Sequence, residues 1–269
     1  MRVSEWIVFA YLAYLLALAA VRPMPRGRRT RVVSTALPVM ALIVVTASLP
    51  STPAWGMLRT WLPVPYVLIG YWLSGVFFVS PQPDVEARFL AFDRRVRRSI
   101  GLDDAAIPRV VLELLELAYL ACYIVLPAGL LALLLAGQGP HADRFWSTVL
   151  LAELACYGTL PWVQTRPGWA LRPQGAVDDR RLLVRRVNLF FVRSASIRAN
   201  TFPSGHAAGA LATALAVAQA SPASGAGFLL LAAGIAAGSV VGEYHYAGDA
   251  IAGAGVALVA WGVVWVAGI

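Results

Sequence analysis

Eight runs of mostly apolar residues divide this chain, at about 5–21, 32–49, 61–79, 109–136, 146–163, 204–219, 225–242 and 249–268. An α-helix needs roughly 17–25 apolar residues to cross the hydrocarbon core of a bilayer. Lipid offers the backbone no hydrogen-bonding partner, so each run must satisfy its own N–H and C=O groups as helix. The pattern predicts an all-α, polytopic membrane helical bundle of about eight transmembrane helices. Composition agrees, with 59% hydrophobic and only 13% charged residues, and excludes a soluble globule. The 109–136 run is long and carries Pro127, which predicts a tilt or kink. The first run is long, with no small-residue cleavage site and soluble domain after it, so no cleavable signal peptide is expected. Cys122 and Cys156 fall inside apolar runs and read as buried, reduced thiols.

The net charge of +8 rests on arginine alone, because the chain has no lysine. These arginines sit in loops between apolar runs, which argues against nucleic acid as a partner. They concentrate in 22–31, 88–109 and 166–198, regions that share one side of an eight-span bundle. Arg2, Arg59 and Arg144 fall on the other side. The positive-inside rule makes the arginine-rich side cytoplasmic, with both termini outside. Residues 81–108 combine the alternating Val85–Phe92 pattern with Arg94-Arg95-Val96-Arg97-Arg98, which predicts an amphipathic helix lying on anionic headgroups. The 164–203 connection is too long for an idle linker and is expected to fold over a site. Gly205-x3-Gly209, Gly234-x3-Gly238 and Gly238-x3-Gly242 offer close approach among the last three helices.

Two phrases carry the chemistry. Thr201-Phe202-Pro203-Ser204-Gly205-His206 and His245-Tyr246-Ala247-Gly248-Asp249 hold two of the three histidines, at the edges of apolar runs. An ionisable side chain there is costly and is a candidate for function. Metal-free phosphoester cleavage needs a nucleophile for phosphorus, an acid for the departing oxygen, and fixed positive charge on the phosphoryl oxygens. One imidazole can attack and a second can protonate, while a carboxylate fixes the tautomer of the first. His245 and Asp249, four apart, share one face of a helical turn. Pro203-Ser204-Gly205 reads as a helix start whose serine caps and whose glycine admits a phosphate to the positive helix end. A histidine beside a tyrosine at a helix end is more often an interfacial residue with a wet tip. Two such histidines, each with fitting neighbours, favour a lipid-phosphate site.

At these residues the chain resembles the type 2 phosphatidic acid phosphatase superfamily. Its central motif reads Pro-Ser-Gly-His and its third ends His-x3-Asp, matched at 203–206 and 245–249. The resemblance covers roughly residues 60–269 as a six-helix core and sets residues 1–59 apart as an N-terminal two-helix membrane extension. It implies His245 as nucleophile, Asp249 as its orienting carboxylate and His206 as general acid. Ser204 and Gly205 would then give hydrogen bonds to phosphate. The first family motif, an Arg-Pro preceded by a distant Lys, is matched in part by Gln164-Thr165-Arg166-Pro167, with Thr159 at the lysine position. The third motif normally opens Ser-Arg, but Ser239 stands where the arginine would be. This departure is similar to the branch of inositol phosphorylceramide and sphingomyelin synthases. The missing charge must come from elsewhere: Arg166 is the first expected phosphate-binding cation and Arg198 the second, since arginine's planar fork can bind two oxygens at once.

Glu113 and Glu116 are expected to pair with loop arginines. Glu153 could bind a headgroup hydroxyl or be a protonated, hydrogen-bonded structural residue, the structural role being preferred. The leading function is a lipid-phosphate phosphohydrolase acting through a phosphohistidine on a phospholipid or polyprenyl (di)phosphate. Close behind is a phosphotransferase in which a lipid hydroxyl replaces water. A non-catalytic lipid-binding or transport protein is the reading from another class. No metal cluster, nucleotide loop or cofactor motif is present, so metal-independent chemistry is expected, with lipid phosphate and membrane lipids as partners. The expected location is multi-pass in a bacterial-type plasma membrane. Charge bias puts the site on the cytoplasmic face, whereas most membrane members of the resembled family act on the opposite one.

Overall fold

A computed structural model describes residues 1–50, 52–100, 107–171 and 182–268. Arg172, Arg180 and Arg181 of the long loop lie outside the described residues. The helices are α1 (Val3–Val21), α2 (Arg26–Ser48), α3 (Pro53–Trp61), α4 (Pro63–Gly75), α5 (Pro83–Ser99), α6 (Arg109–Leu120), α7 (Val125–Leu135), α8 (Ala142–Gly158), α9 (Leu183–Ser194), α10 (Gly205–Ala220), α11 (Pro222–Val241) and α12 (Ala247–Val266). Among the described residues the only strand-like pairing is an isolated bridge between Thr165 and Asn200. The chain is all-α.

Every apolar run folds as helix, but not every run is one straight span. α1, α2, α11 and α12 are long and apolar enough to cross a membrane, and α6 with α7 adds a fifth if the pair is one span. Length and composition thus support four or five spans and do not establish eight. The others are short: α4, α8 and α10 have 13, 17 and 16 residues. α8 and α10 lie deep in the bundle, with Trp146, Leu150, Cys156, Ala208 and Ala212 buried. A helix walled by protein need not match the lipid thickness.

Prolines set the breaks. The 61–79 run divides at Pro63, which opens α4 where its missing N–H is harmless. α6 and α7 meet at 71°. Pro127 cannot donate to the Tyr123 carbonyl and its ring would crowd it, so regular helix stops before Tyr123 in a short 3₁₀ turn.

Hydrogen bonds sort the loops into two ends. At one end Arg22 donates to the Pro161 carbonyl, Arg28 to that of Phe78, Gln82 N–H to that of Gln164, and Arg97 to that of Val240. At the other, Val3 N–H meets Asp143, Arg59 pairs with Glu5, and Arg144 lies over Trp265. The arginine-rich loops therefore gather at one end, as their order predicts.

α1, α2, α4, α8, α10 and α12 share one core through Leu15, Ile43, Tyr66, Leu150, Ala212 and Ala257. A second cluster, including Tyr119, Leu189, Ile235 and Tyr244, joins α6, α9 and α11. Both cysteines are free and buried. The glycine pairs do permit close approach, but to other partners than expected. A Cβ at Gly238 would lie 2.2 Å from the Leu115 carbonyl of α6, and one at Gly209 1.8 Å from Glu153 of α8. α5 is amphipathic as expected: Arg88, Arg94, Arg95 and Arg98 face out. Its other face, with Glu86 and Asp93, is buried against the end of the bundle that carries the histidines.

Candidate active site

The Thr201–His206 phrase folds as a capped helix start. Ser204 Oγ accepts from Ala207 N–H at 3.3 Å, and Ser204 N–H donates to the Asp249 carbonyl at 2.9 Å. His206 therefore stands on the first turn of α10. Gly253 makes the fit possible, since a Cβ there would meet the Ser204 carbonyl at 2.4 Å.

His245 lies in the turn between α11 and α12, its N–H donating to the Ser239 carbonyl at 3.0 Å. The Asp249 carboxylate folds back over the start of α12, where Oδ2 accepts from Tyr246 N–H at 3.0 Å. That turn brings Oδ2 to 3.5 Å from His245 Nδ1, with Asp249 wholly buried. Asn200, which no sequence signal singled out, donates from Nδ2 to the same Oδ2 at 2.8 Å and to Thr165 Oγ1 at 3.1 Å. Its N–H reaches the Thr165 carbonyl at 2.7 Å. One side chain thus ties the loops of the first and central motifs to the aspartate of the third.

The His206 and His245 rings meet edge to face, centroids 5.5 Å apart at 78°. Both line a cavity of about 200 Å³ together with Gly205, Thr201, Arg198 and Glu153. Its wall is aromatic: Tyr71, Trp72, Tyr119, Tyr123, Tyr157, Trp169, Phe191 and Tyr244. Tyr119 stacks flat on Tyr244 at 3.9 Å and stands edge-on to His206 at 5.7 Å. The described part of the 164–203 loop does fold over the site, as expected.

The two candidate cations stand differently to the cavity. Arg198 lines the cavity, with a left-handed backbone (φ 55°), and its Nη2 donates to the Arg193 carbonyl at 2.8 Å. Arg166 does not line it; its side chain is clasped by Glu86 of α5 at 2.8 Å. That bond from Arg166 holds the Glu86 carboxyl below the usual carboxylate range. Glu243, two residues before His245, is also left-handed (φ 60°). A non-glycine residue in that region costs on the order of 1–3 kcal/mol, and such strain gathers at functional sites.

Neighbouring groups fix the frame. Glu116 pairs with Arg185 at 2.8 Å and accepts from Tyr244 Oη at 2.7 Å, while Arg185 also donates to the Gly242 carbonyl at 3.1 Å. The expected pairing of Glu116 with a loop arginine holds. Glu113 lies 3.9 Å from Arg109 and, beyond that, caps α9 by accepting from Leu183 and Val184 N–H. On α5, Phe89 packs on Phe202 and Tyr246, and Asp93 accepts from Ala247 N–H at the start of α12. Burial pushes the Asp93 carboxyl up. A sequence signal for this docking does exist: Glu86 and Asp93, seven apart, share one face of an otherwise basic helix.

Helices long and apolar enough to cross a membrane flank this histidine pair. The sequence model of the PAP2 superfamily matches residues 147–268. That stretch holds most of α8, all of α9 to α12 and every site residue picked from the sequence, and it is similar to this superfamily, which generally comprises phosphatases and phosphotransferases; with the apolar helices the match suggests a membrane enzyme of phosphatase type. No curated protein and no solved structure matches the chain.

Proposed function

We propose that the protein is a lipid-phosphate phosphohydrolase that works through a phosphohistidine. The observation that carries this reading is the pair of imidazoles 5.5 Å apart in one cavity, with a buried carboxylate behind His245 and, among the described residues, none paired with His206. Asp249 at Nδ1 keeps the proton there and leaves Nε2 of His245 as the attacking atom. The 3.5 Å contact shortens as the ring gains positive charge. Nε2 bonds to phosphorus, the bond to the lipid oxygen breaks, and His206 protonates that oxygen. Water then attacks phosphorus, giving its proton to His206, and the P–N bond breaks to release phosphate and restore His245.

The α10 N-terminus, with Ser204 and Gly205, supplies partial positive charge to the phosphoryl oxygens. Arg198 is the cation best placed to add a full one, and Arg166 is the second. The aromatic wall takes the lipid body and thins water around the reacting bond.

A transferase is supported by Ser239. It is fully buried, its hydroxyl donating to the Ala236 carbonyl at 2.8 Å, so the position offers no charge to phosphate. This is the pattern of the synthase branch, where an alcohol takes the place of water in the second step. The site lies at the arginine-rich end, which the charge bias assigns to the cytoplasmic face of a bacterial-type plasma membrane.

The deciding experiment is phosphate release by purified protein in detergent from a panel of lipid phosphates and prenyl diphosphates. The same reactions run with diacylglycerol, ceramide and inositol and are read by lipid mass analysis. Release that His245→Ala abolishes supports the hydrolase. Headgroup exchange with little free phosphate supports the transferase. Neither product, from folded protein, moves the lipid-binding reading to the front.

A further inference from the structure

Glu153 is a buried carboxylate that the proposed reaction does not use. It sits on α8, five residues before that helix ends, and only 3% of it is exposed. Its carboxyl lies in a groove made by two glycines of α10. A Cβ at Gly205 would come within 2.9 Å of Oε2, and one at Gly209 within 1.8 Å of Oε1. Any side chain at 209 would expel it. The Gly205-x3-Gly209 spacing therefore houses this carboxyl.

Its own needs are only partly met. Oε2 has no hydrogen-bond partner. Tyr157, one turn along α8, hydrogen-bonds to the carboxyl, and no arginine pairs with it among the described residues. A buried carboxyl oxygen without a donor costs on the order of 1–3 kcal/mol and marks a site awaiting a partner. Glu153 also lines the same cavity as His206 and His245. It stands beside the first turn of α10, where Gly209 is one turn, about 6 Å, deeper into the bundle than Gly205. A group that meets Glu153 is therefore on the lipid side of a phosphate held at the α10 N-terminus, away from the headgroup side.

We propose that Glu153 is a specificity-determining residue that binds a free hydroxyl on the lipid backbone next to the phosphoester. The inference rests on the lipid-phosphate reading of the site and adds to it the chemical feature that selects among lipid phosphates. It goes beyond the purely structural role preferred from sequence, because a purely structural carboxyl would have both oxygens satisfied in the fold.

The test is a ratio of affinities in full-length protein purified in detergent. The probes are lysophosphatidate, whose glycerol carries a free hydroxyl, and its 2-deoxy analogue, which lacks it. Quenching of intrinsic fluorescence reports binding, since Trp72 and Trp169 line the cavity. Wild type is expected to prefer the hydroxyl-bearing probe by about tenfold, the size of one hydrogen bond to a carboxylate. Glu153→Ala should bring the ratio to about one. Glu153→Gln, whose amide oxygen still accepts, should keep part of it and also preserves shape if the alanine variant does not fold. Equal affinities in wild type, or an unchanged ratio in either folded variant, would overturn the proposal. Phosphate release is followed separately. If wild type binds with the expected ratio but releases none from either probe, the phosphohydrolase reading fails and the role of Glu153 stands.

Discussion

Glu86 grips Arg166 at three points: Oε1 accepts from the backbone N–H at 2.8 Å and from Nε at 3.0 Å, and Oε2 from Nη2 at 2.8 Å. The arginine of the first motif is thus aimed by a helix outside the matched segment of residues 147–268. Two of its guanidinium nitrogens, Nε and Nη2, are committed to the clasp. This makes α5 part of the site's scaffold, and it explains why the half-buried Arg166 stands at the rim while Arg198 lines the cavity.

Removing the clasp should loosen α5 before it touches the chemistry. Glu86→Ala takes away three hydrogen bonds, including the bidentate pair, and is expected to cost on the order of 1–3 kcal/mol of α5 docking. Hydrogen exchange should show faster exchange across 83–99, with the core of α8 and α10 unchanged. Equal protection of α5 in the variant would show that Phe89 and Asp93 hold the helix without Glu86.

The same contact has a pH signature. Arg166 lowers the Glu86 carboxyl below its unfolded value, so ionised Glu86 favours the docked state. Its stabilising effect is fully present above the unfolded pKa of about 4.3 and is lost as pH falls through the lower folded value. The Glu86 contribution to α5 docking should therefore be flat from about pH 5 to 9 and weaken only in strong acid, whereas Asp93, whose carboxyl burial pushes up, acts in the opposite sense as pH rises. Loosening that begins near neutrality would point to another group.

The two arginines should separate in kinetics. Arg198→Ala removes the cation that lines the cavity and is expected to lower kcat/KM by about 10- to 100-fold, the worth of one charge-assisted hydrogen bond. Arg166→Ala should cost less than about tenfold and bring the α5 loosening with it. A larger loss at Arg166 would restore the order expected from the motif.

Much of this was legible beforehand because it rests on local rules. The apolar runs and the serine cap at 204 follow from helix geometry, whereas His245 stands ahead of α12 and Asp249 meets it by folding back over the helix start, not along one helical face. What was not legible depends on contacts between distant segments. Asn200 reaches Asp249 across 49 positions and has no pattern of its own. Arg166 matched a motif, yet its partner lies 80 residues away on α5. The shortness of α4 was hidden because the apolar ends of the 61–79 run read like helix.

Asp249 and Asn200 should act through His245. Asp249→Asn keeps the shape but removes the charge that selects the Nδ1–H tautomer, with an expected loss in kcat of about 10²–10⁴-fold and little change in KM. Asn200→Ala should cost about tenfold, because the Tyr246 N–H still holds the carboxylate. Equal turnover in Asp249→Asn and wild type would remove the carboxylate from the mechanism.

The side of the membrane can be read by thiol labelling in intact cells. Both native cysteines are buried, so a single new cysteine gives a clean signal. Gly139, between α7 and α8, is at the end that carries Arg2, Arg59 and Arg144, whereas Arg94 on α5 is at the arginine-rich end. The charge bias predicts that Gly139→Cys reacts with an impermeant reagent from outside and that Arg94→Cys reacts only after permeabilisation. Labelling in the opposite order would put the histidines on the outer face. The arginines around the site would then answer to phosphate and to headgroups of the outer leaflet, and the positive-inside rule would not describe this chain.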